Sequence, residues 1–110
     1  MIIYVDIDET ICNTPKRNYL GCTPIKKNIL KINELYDKGH IIVYWTARGS
    51  TSGIDWRKLT LEQLKKWDCK YNRLDTLKKP YFDVLIDDRA LNSKLNWKNN
   101  NIVLQINNLN

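Results

Sequence analysis

The chain has 110 residues, with 18 Lys and Arg against 12 Asp and Glu (formal net charge +6), 43% hydrophobic residues, 4 Gly and 3 Pro. This length supports one domain, residues 1–110, with a real core, and excludes a core plus a second domain. No apolar run reaches the roughly 18–20 residues of a membrane span, there is no basic leader with a cleavage site, and Cys12, Cys22 and Cys69 lack CxxC spacing, so a reduced cytoplasmic protein with no zinc site and no membrane partner is expected.

Five of the first seven residues (Met1, Ile2, Ile3, Val5, Ile7) read as a buried strand over Ile2–Ile7. In CTPIKKNILKINELYDKG, Thr23 is placed as a helix N-cap and Pro24 as the first helical residue. Ile25, Ile29, Ile32 and Tyr36 then recur at helical spacing, and Gly39 supplies the stop. His40–Trp45 is a second buried strand, with His40 structural or exposed, and STSG is a loop. DWRKLTLEQLKKW is a second helix with Leu61, Leu64 and Trp67 on one face. Within it Thr60 and Gln63 fit a capping box, which puts its regular start near Thr60. KYNRL is a short edge strand and Phe82–Asp87 a third buried strand. A weak helix over Arg89–Trp97 and a strand over Asn101–Ile106 complete the chain. The four tryptophans read as packing, with base stacking by Trp56 the lesser alternative.

The β-α-β-α-β order, with apolar strands lacking polar alternation, predicts an α/β fold: a three-layer, Rossmann-like parallel sheet with helices on both faces. Such sheets bind ligands beyond the carboxyl ends of their strands. The residues falling there are Asp6-x-Asp8-x-Thr10, Thr46-Ala47-Arg48 and Asp87-Asp88, and Lys78-Lys79-Pro80 precedes the third strand. Four carboxylates so close repel one another unless a cation sits among them. Mg²⁺ suits them, being hard and satisfied by a few protein oxygens with water and phosphate completing its shell. One carboxylate can attack phosphorus to give an aspartyl-phosphate. A second, two residues on, can protonate the leaving oxygen and later activate water. Thr46 and a lysine supply donors to the phosphoryl oxygens.

DIDET, WTAR, KKP and IDD stand in the order and strand context of the four motifs of the haloacid dehalogenase (HAD) superfamily, which the chain resembles from Asp6 to Asp88. The similarity is greatest to small phosphatases of capsule and surface-polysaccharide biosynthesis, through DWRKLTLEQLKKWDCKYNRL and KKPYFDVLIDDRA. Carried over, the resemblance implies Asp6 as nucleophile and Asp8 as general acid/base. It makes Thr46 and Lys79 the phosphoryl ligands; Lys79 is preferred to Lys78 because it directly precedes Pro80. Mg²⁺ is assigned to Asp6, Asp87, Asp88 and Asp8, the last through its backbone carbonyl. Arg48 either touches substrate or pairs with a site carboxylate, and Arg89 balances charge. Glu9 stands where many relatives have Gly or a small polar residue, and adds negative charge at the mouth.

About 35 residues separate Thr10 from Thr46 and about 32 separate Thr46 from Lys79, which ordinary loops and helices consume, so no cap domain fits. An open site suits a large substrate, a covering neighbour in a homo-oligomer, or permissiveness toward small esters. The leading expectation is a Mg²⁺-dependent phosphomonoester hydrolase acting on a sugar phosphate in capsule or surface-polysaccharide synthesis. One alternative is a phosphatase of nucleic-acid 3′-phosphates or nucleotides, suggested by the +6 charge. It is less favoured, because the paired lysines Lys26-Lys27, Lys65-Lys66 and Lys78-Lys79 fall mostly in helical patterns and read as solvated faces. The other alternative is a non-catalytic Mg²⁺-binding module.

Overall fold

The computed structural model describes residues 1–49, 52–76 and 84–86. Lys78, Lys79, Asp87, Asp88 and Arg89, the helix expected over 89–97 and the strand expected over 101–106 lie outside the described residues. Four strands form one sheet: β1 (Ile2–Asp6), β4 (Ile41–Thr46), β5 (Arg73–Thr76) and β6 (Val84–Ile86). All pairings are parallel and the order across the sheet is β5-β4-β1-β6. The chain is thus an α/β protein built on a parallel sheet.

Register explains which residues make the core. Ile3 pairs with Ile42, Val5 with both Tyr44 and Ile86, and Tyr44 with Leu74, so all six share one face. They join Ile29, Ile32 and Leu35 of helix α1 (Lys26–Asp37) and Leu64 of helix α2 (Arg57–Lys66) in a single buried cluster. Both helices therefore cover the same face. Right-handed crossovers require this, because β1, β4 and β5 step outward in one direction. Tyr4 and Val43 are buried on the opposite face, and helical cover of that face is not among the described residues. After β5 the chain returns to the other side of β1 to form β6, which puts a topological switch point between β1 and β6.

Several boundaries differ from those predicted. Thr23 does not cap α1: Thr23–Pro24 forms β3, an antiparallel ribbon with β2 (Cys12–Asn13), and the Ile25 N–H donates to the Ile11 carbonyl at 2.7 Å. That pairing holds Thr23 extended, and α1 starts three residues later. The buried stripe of α1 runs through Asn28, Ile29, Ile32, Asn33 and Leu35, while Tyr36 is exposed. Gly39, at φ 95°, ends the helix as expected. α2 begins at Arg57 rather than near Thr60. The edge strand lies a few residues beyond its expected start, because the Asn72 side chain and backbone already pair with Ile42 before β5 begins. His40 is buried, its Nδ1 3.3 Å from the N-terminal amine. No helix among the described residues is long and apolar enough to cross a membrane.

Candidate active site

At the end of β1 the chain turns sharply. The N–H groups of Thr10 and Ile11 both donate to the Ile7 carbonyl, at 3.1 and 3.0 Å, and Glu9 takes a left-handed φ of 64°. The Glu9 N–H donates to the Cys12 carbonyl at 2.8 Å, and its carboxylate accepts the Thr14 N–H at 2.7 Å. The result is a tight loop that turns Asp6 and Asp8 into one cleft of about 500 Å³, lined also by Arg17, Tyr19, Arg48 and Trp56. Glu9 is thereby the clasp of the loop. Its carboxylate accepts that backbone N–H while the residue itself stays exposed.

Asp6 Oδ1 accepts the Ile7 N–H at 2.9 Å. Asp8 is held more firmly. Arg48 donates from Nη2 to Oδ1 at 2.7 Å and from Nε to Oδ2 at 3.0 Å, and the Thr14 hydroxyl donates to Oδ1 at 2.8 Å. Arg48 thus makes the ion pair with a site carboxylate that was one of its two expected roles. The Arg48 side chain is fully buried while that of Asp8 keeps 25% exposure toward the cleft. A buried guanidinium needs acceptors for all its N–H groups. Nη1 finds them on α2, donating to Thr60 Oγ1 at 3.1 Å and Gln63 Oε1 at 2.7 Å. Burial pulls the Arg48 pKa down, but the hydrogen bonds and charge of Asp8 outweigh it and the net shift is upward. Tyr19 lies over the guanidinium, its ring centroid 4.7 Å from Cζ.

Thr46, the last residue of β4, is buried, and its hydroxyl accepts the Arg48 N–H at 3.0 Å. It lines an adjoining cavity of about 270 Å³ that shares Arg48 and Trp56 with the first. The structure thus brings Asp6, Asp8 and Arg48 into one cleft with Thr46 beside it. Lys79, Asp87 and Asp88 are outside the described residues, but Ile86, to which Asp87 is bonded, pairs with Val5, the residue before Asp6.

Among the described residues no three His, Cys, Asp or Glu side chains converge as a metal site. Asp6 offers a hard carboxylate oxygen of the kind Mg²⁺ takes. The Asp8 carboxylate is engaged by Arg48 and Thr14. Cys12 Sγ lies 3.6 Å from Asp8 Oδ1, and burial pushes its pKa up to about 12, with the Thr14 hydroxyl opposing the rise and the Asp8 charge adding to it.

No family model matches the chain, and no curated protein does. Among solved structures, a crystal structure of an MCSG target from Vibrio cholerae is similar. The TM-score is 0.64 at 24% identity, over 74% of this chain and 72% of that one. That likeness shows a shared fold and carries nothing about activity.

Sequence reasoning missed Thr14, Thr60, Gln63 and Tyr19 as parts of the site. For Thr60 and Gln63 a signal was available. They sit three apart, one turn of helix, and a polar pair on a buried helix stripe calls for a buried partner.

Proposed function

We propose that this protein is a Mg²⁺-dependent phosphomonoester hydrolase of the HAD type that works through an aspartyl-phosphate, with a sugar phosphate of surface-polysaccharide synthesis as substrate. The observation that carries the reading is the pair Asp6 and Asp8, two residues apart at the carboxyl edge of a parallel sheet. They open into one cleft beside the β1/β6 switch point, and a buried arginine fixes the second of them. The pairing of Val5 with Ile86 adds support, since the next bonded residues are Asp6 and Asp87. The three free thiols Cys12, Cys22 and Cys69 support a reducing, cytoplasmic setting.

In this reading Asp6 attacks phosphorus, forming an acyl-phosphate as the ester oxygen departs, and Asp8 gives that oxygen its proton. Asp8 then takes a proton from the water that attacks the phospho-aspartate, releasing phosphate and regenerating Asp6. Thr46 and Lys79 hold the phosphoryl oxygens. Asp6, the Asp8 carbonyl, Asp87 and Asp88 would hold Mg²⁺, which supplies charge neutralisation when bound.

The test is phosphate release from a panel of sugar phosphates with Mg²⁺. Turnover is expected with the wild type, to be lost on chelation, restored by added Mg²⁺ and abolished in Asp6→Asn. Asp8→Asn should lower kcat by about 10²–10⁴-fold. Failure of every phosphomonoester to turn over would exclude the reading. A nucleotide or 3′-phosphorylated oligonucleotide is the second substrate reading, favoured by Arg17 and by the Tyr19–Trp56 pair lining the cleft, with ring centroids 5.1 Å apart. Binding to oligonucleotides that weakens steeply with salt would support it over sugars.

A further inference from the structure

We infer that Arg48 is a positioning residue: anchored on α2 by Thr60 and Gln63, it fixes Asp8 through Oδ1 and leaves Oδ2 as the oxygen that exchanges the proton. The inference rests on the phosphatase reading above.

The donors divide unequally between the two Asp8 oxygens. Oδ1 receives Arg48 Nη2 at 2.7 Å and Thr14 Oγ1 at 2.8 Å, with Arg48 Nε at 3.2 Å and Cys12 Sγ at 3.6 Å as longer contacts. Oδ2 receives Nε alone, at 3.0 Å. A carboxylate oxygen offers about two lone pairs, so Oδ1 is saturated and Oδ2 keeps a free one. In the first step a proton on Oδ2 passes to the departing ester oxygen as the P–O bond breaks and the bond from Asp6 to phosphorus forms. In the second, Oδ2 takes a proton from the attacking water as the Asp6–phosphorus bond breaks. Asp8 keeps its Oδ1 bonds to Arg48 and Thr14 through both.

The anchor is rigid at its far end. The Gln63 amide donates to the Tyr19 carbonyl at 2.6 Å and lies 3.2 Å from Cys22 Sγ, so its oxygen must face Arg48. The Thr60 hydroxyl donates to the Trp56 carbonyl at 2.8 Å, which aims its lone pairs at Nη1. A planar fork that reaches Asp8 from one edge and α2 from the other needs arginine. Lysine, a point charge, cannot bridge both.

General acid help matters for a poor leaving group such as a sugar alkoxide and hardly at all for p-nitrophenolate. Arg48→Lys and the milder Gln63→Leu are therefore compared with wild type, with Mg²⁺, on a sugar phosphate and on p-nitrophenyl phosphate. For the sugar phosphate, kcat is expected to drop by about 10²-fold in Arg48→Lys and by less in Gln63→Leu, with KM little changed. With p-nitrophenyl phosphate, the first-turnover burst of p-nitrophenolate should keep nearly its wild-type rate while steady turnover slows, because only the second step then needs Asp8. Equal losses on both substrates in the burst, or a rise in KM with kcat preserved, would overturn the positioning role. Wild type inert toward both esters removes the phosphatase reading and this inference together, whereas an active wild type with unselective variants removes only this inference.

Discussion

Glu9 holds a left-handed φ of 64°, a conformation that costs an L-residue with a side chain roughly 1–2 kcal/mol. It is tolerated because the same residue closes the loop, through its N–H to Cys12 and its carboxylate to the Thr14 N–H. Thr14 in turn donates its hydroxyl to Asp8, so the clasp sits two bonds from the proposed acid. Replacing Glu9 by Ala keeps the strain and removes the clasp, and should lower unfolding free energy by about 1–3 kcal/mol. Glu9→Gly relieves the strain while losing the same bond, and should cost less. Urea denaturation of the two variants separates these contributions; equal losses would mean that backbone strain plays no part. The sequence carries no sign of the clasp, because Thr14 becomes the partner of Glu9 only once the loop has turned.

Between elements, buried polar side chains do the joining. Asn33 on α1 uses both ends of its amide on the segment after α2, donating to the Asp68 carbonyl at 2.9 Å and accepting the Lys70 N–H at 2.8 Å. Asn33→Ala strands two backbone groups and should lower stability by about 1–3 kcal/mol, read as a reduced urea midpoint with an unchanged slope. The loop after β4 is fixed differently. Gly49 has φ 84°, and a Cβ there would collide with the Ile54 carbonyl oxygen and come within 3.2 Å of Trp56 Cδ1. Gly49→Ala should therefore push the Ile54 backbone away, and Trp56 two residues on with it, seen as a shift in tryptophan emission. The apolar runs made β1, β4 and the body of α1 legible in the sequence, since each is set by local periodicity. The start of α1 was not, because Thr23 is held by a ribbon partner at Asn13. Nor was the role of Thr60 and Gln63, whose local capping pattern is overridden by the buried charge of Arg48.

Across the whole molecule, a parallel sheet was legible from strands without polar alternation. Its order was not, since nothing local says that β6 returns to the far side of β1. A consequence of the fold that no motif announces is its behaviour in alkali. Cys12, beside the cleft, and Cys69, after α2, both have pKa values pushed from 9.0 up to about 12, in each case chiefly by burial. Below pH 9 both thiols are protonated whether the chain is folded or not, and their contribution to stability is complete. Between pH 9 and 12 the unfolded chain releases protons that the folded chain retains, so stability must fall as pH rises, and that contribution is gone once the pH passes the folded values. Tyr44 and Tyr4, also raised first by burial, push the same way from about pH 10 upward. The thiols therefore dominate the first part of the decline. Urea midpoints measured at half-unit steps from pH 8 to 10 should begin to fall near pH 9 in the wild type. In Cys12→Ala/Cys69→Ala the fall should start about one unit later, whatever that variant loses at neutral pH. A midpoint that stays flat to pH 10, or an early decline that the double substitution leaves in place, would show that these thiols are not held in water-poor surroundings.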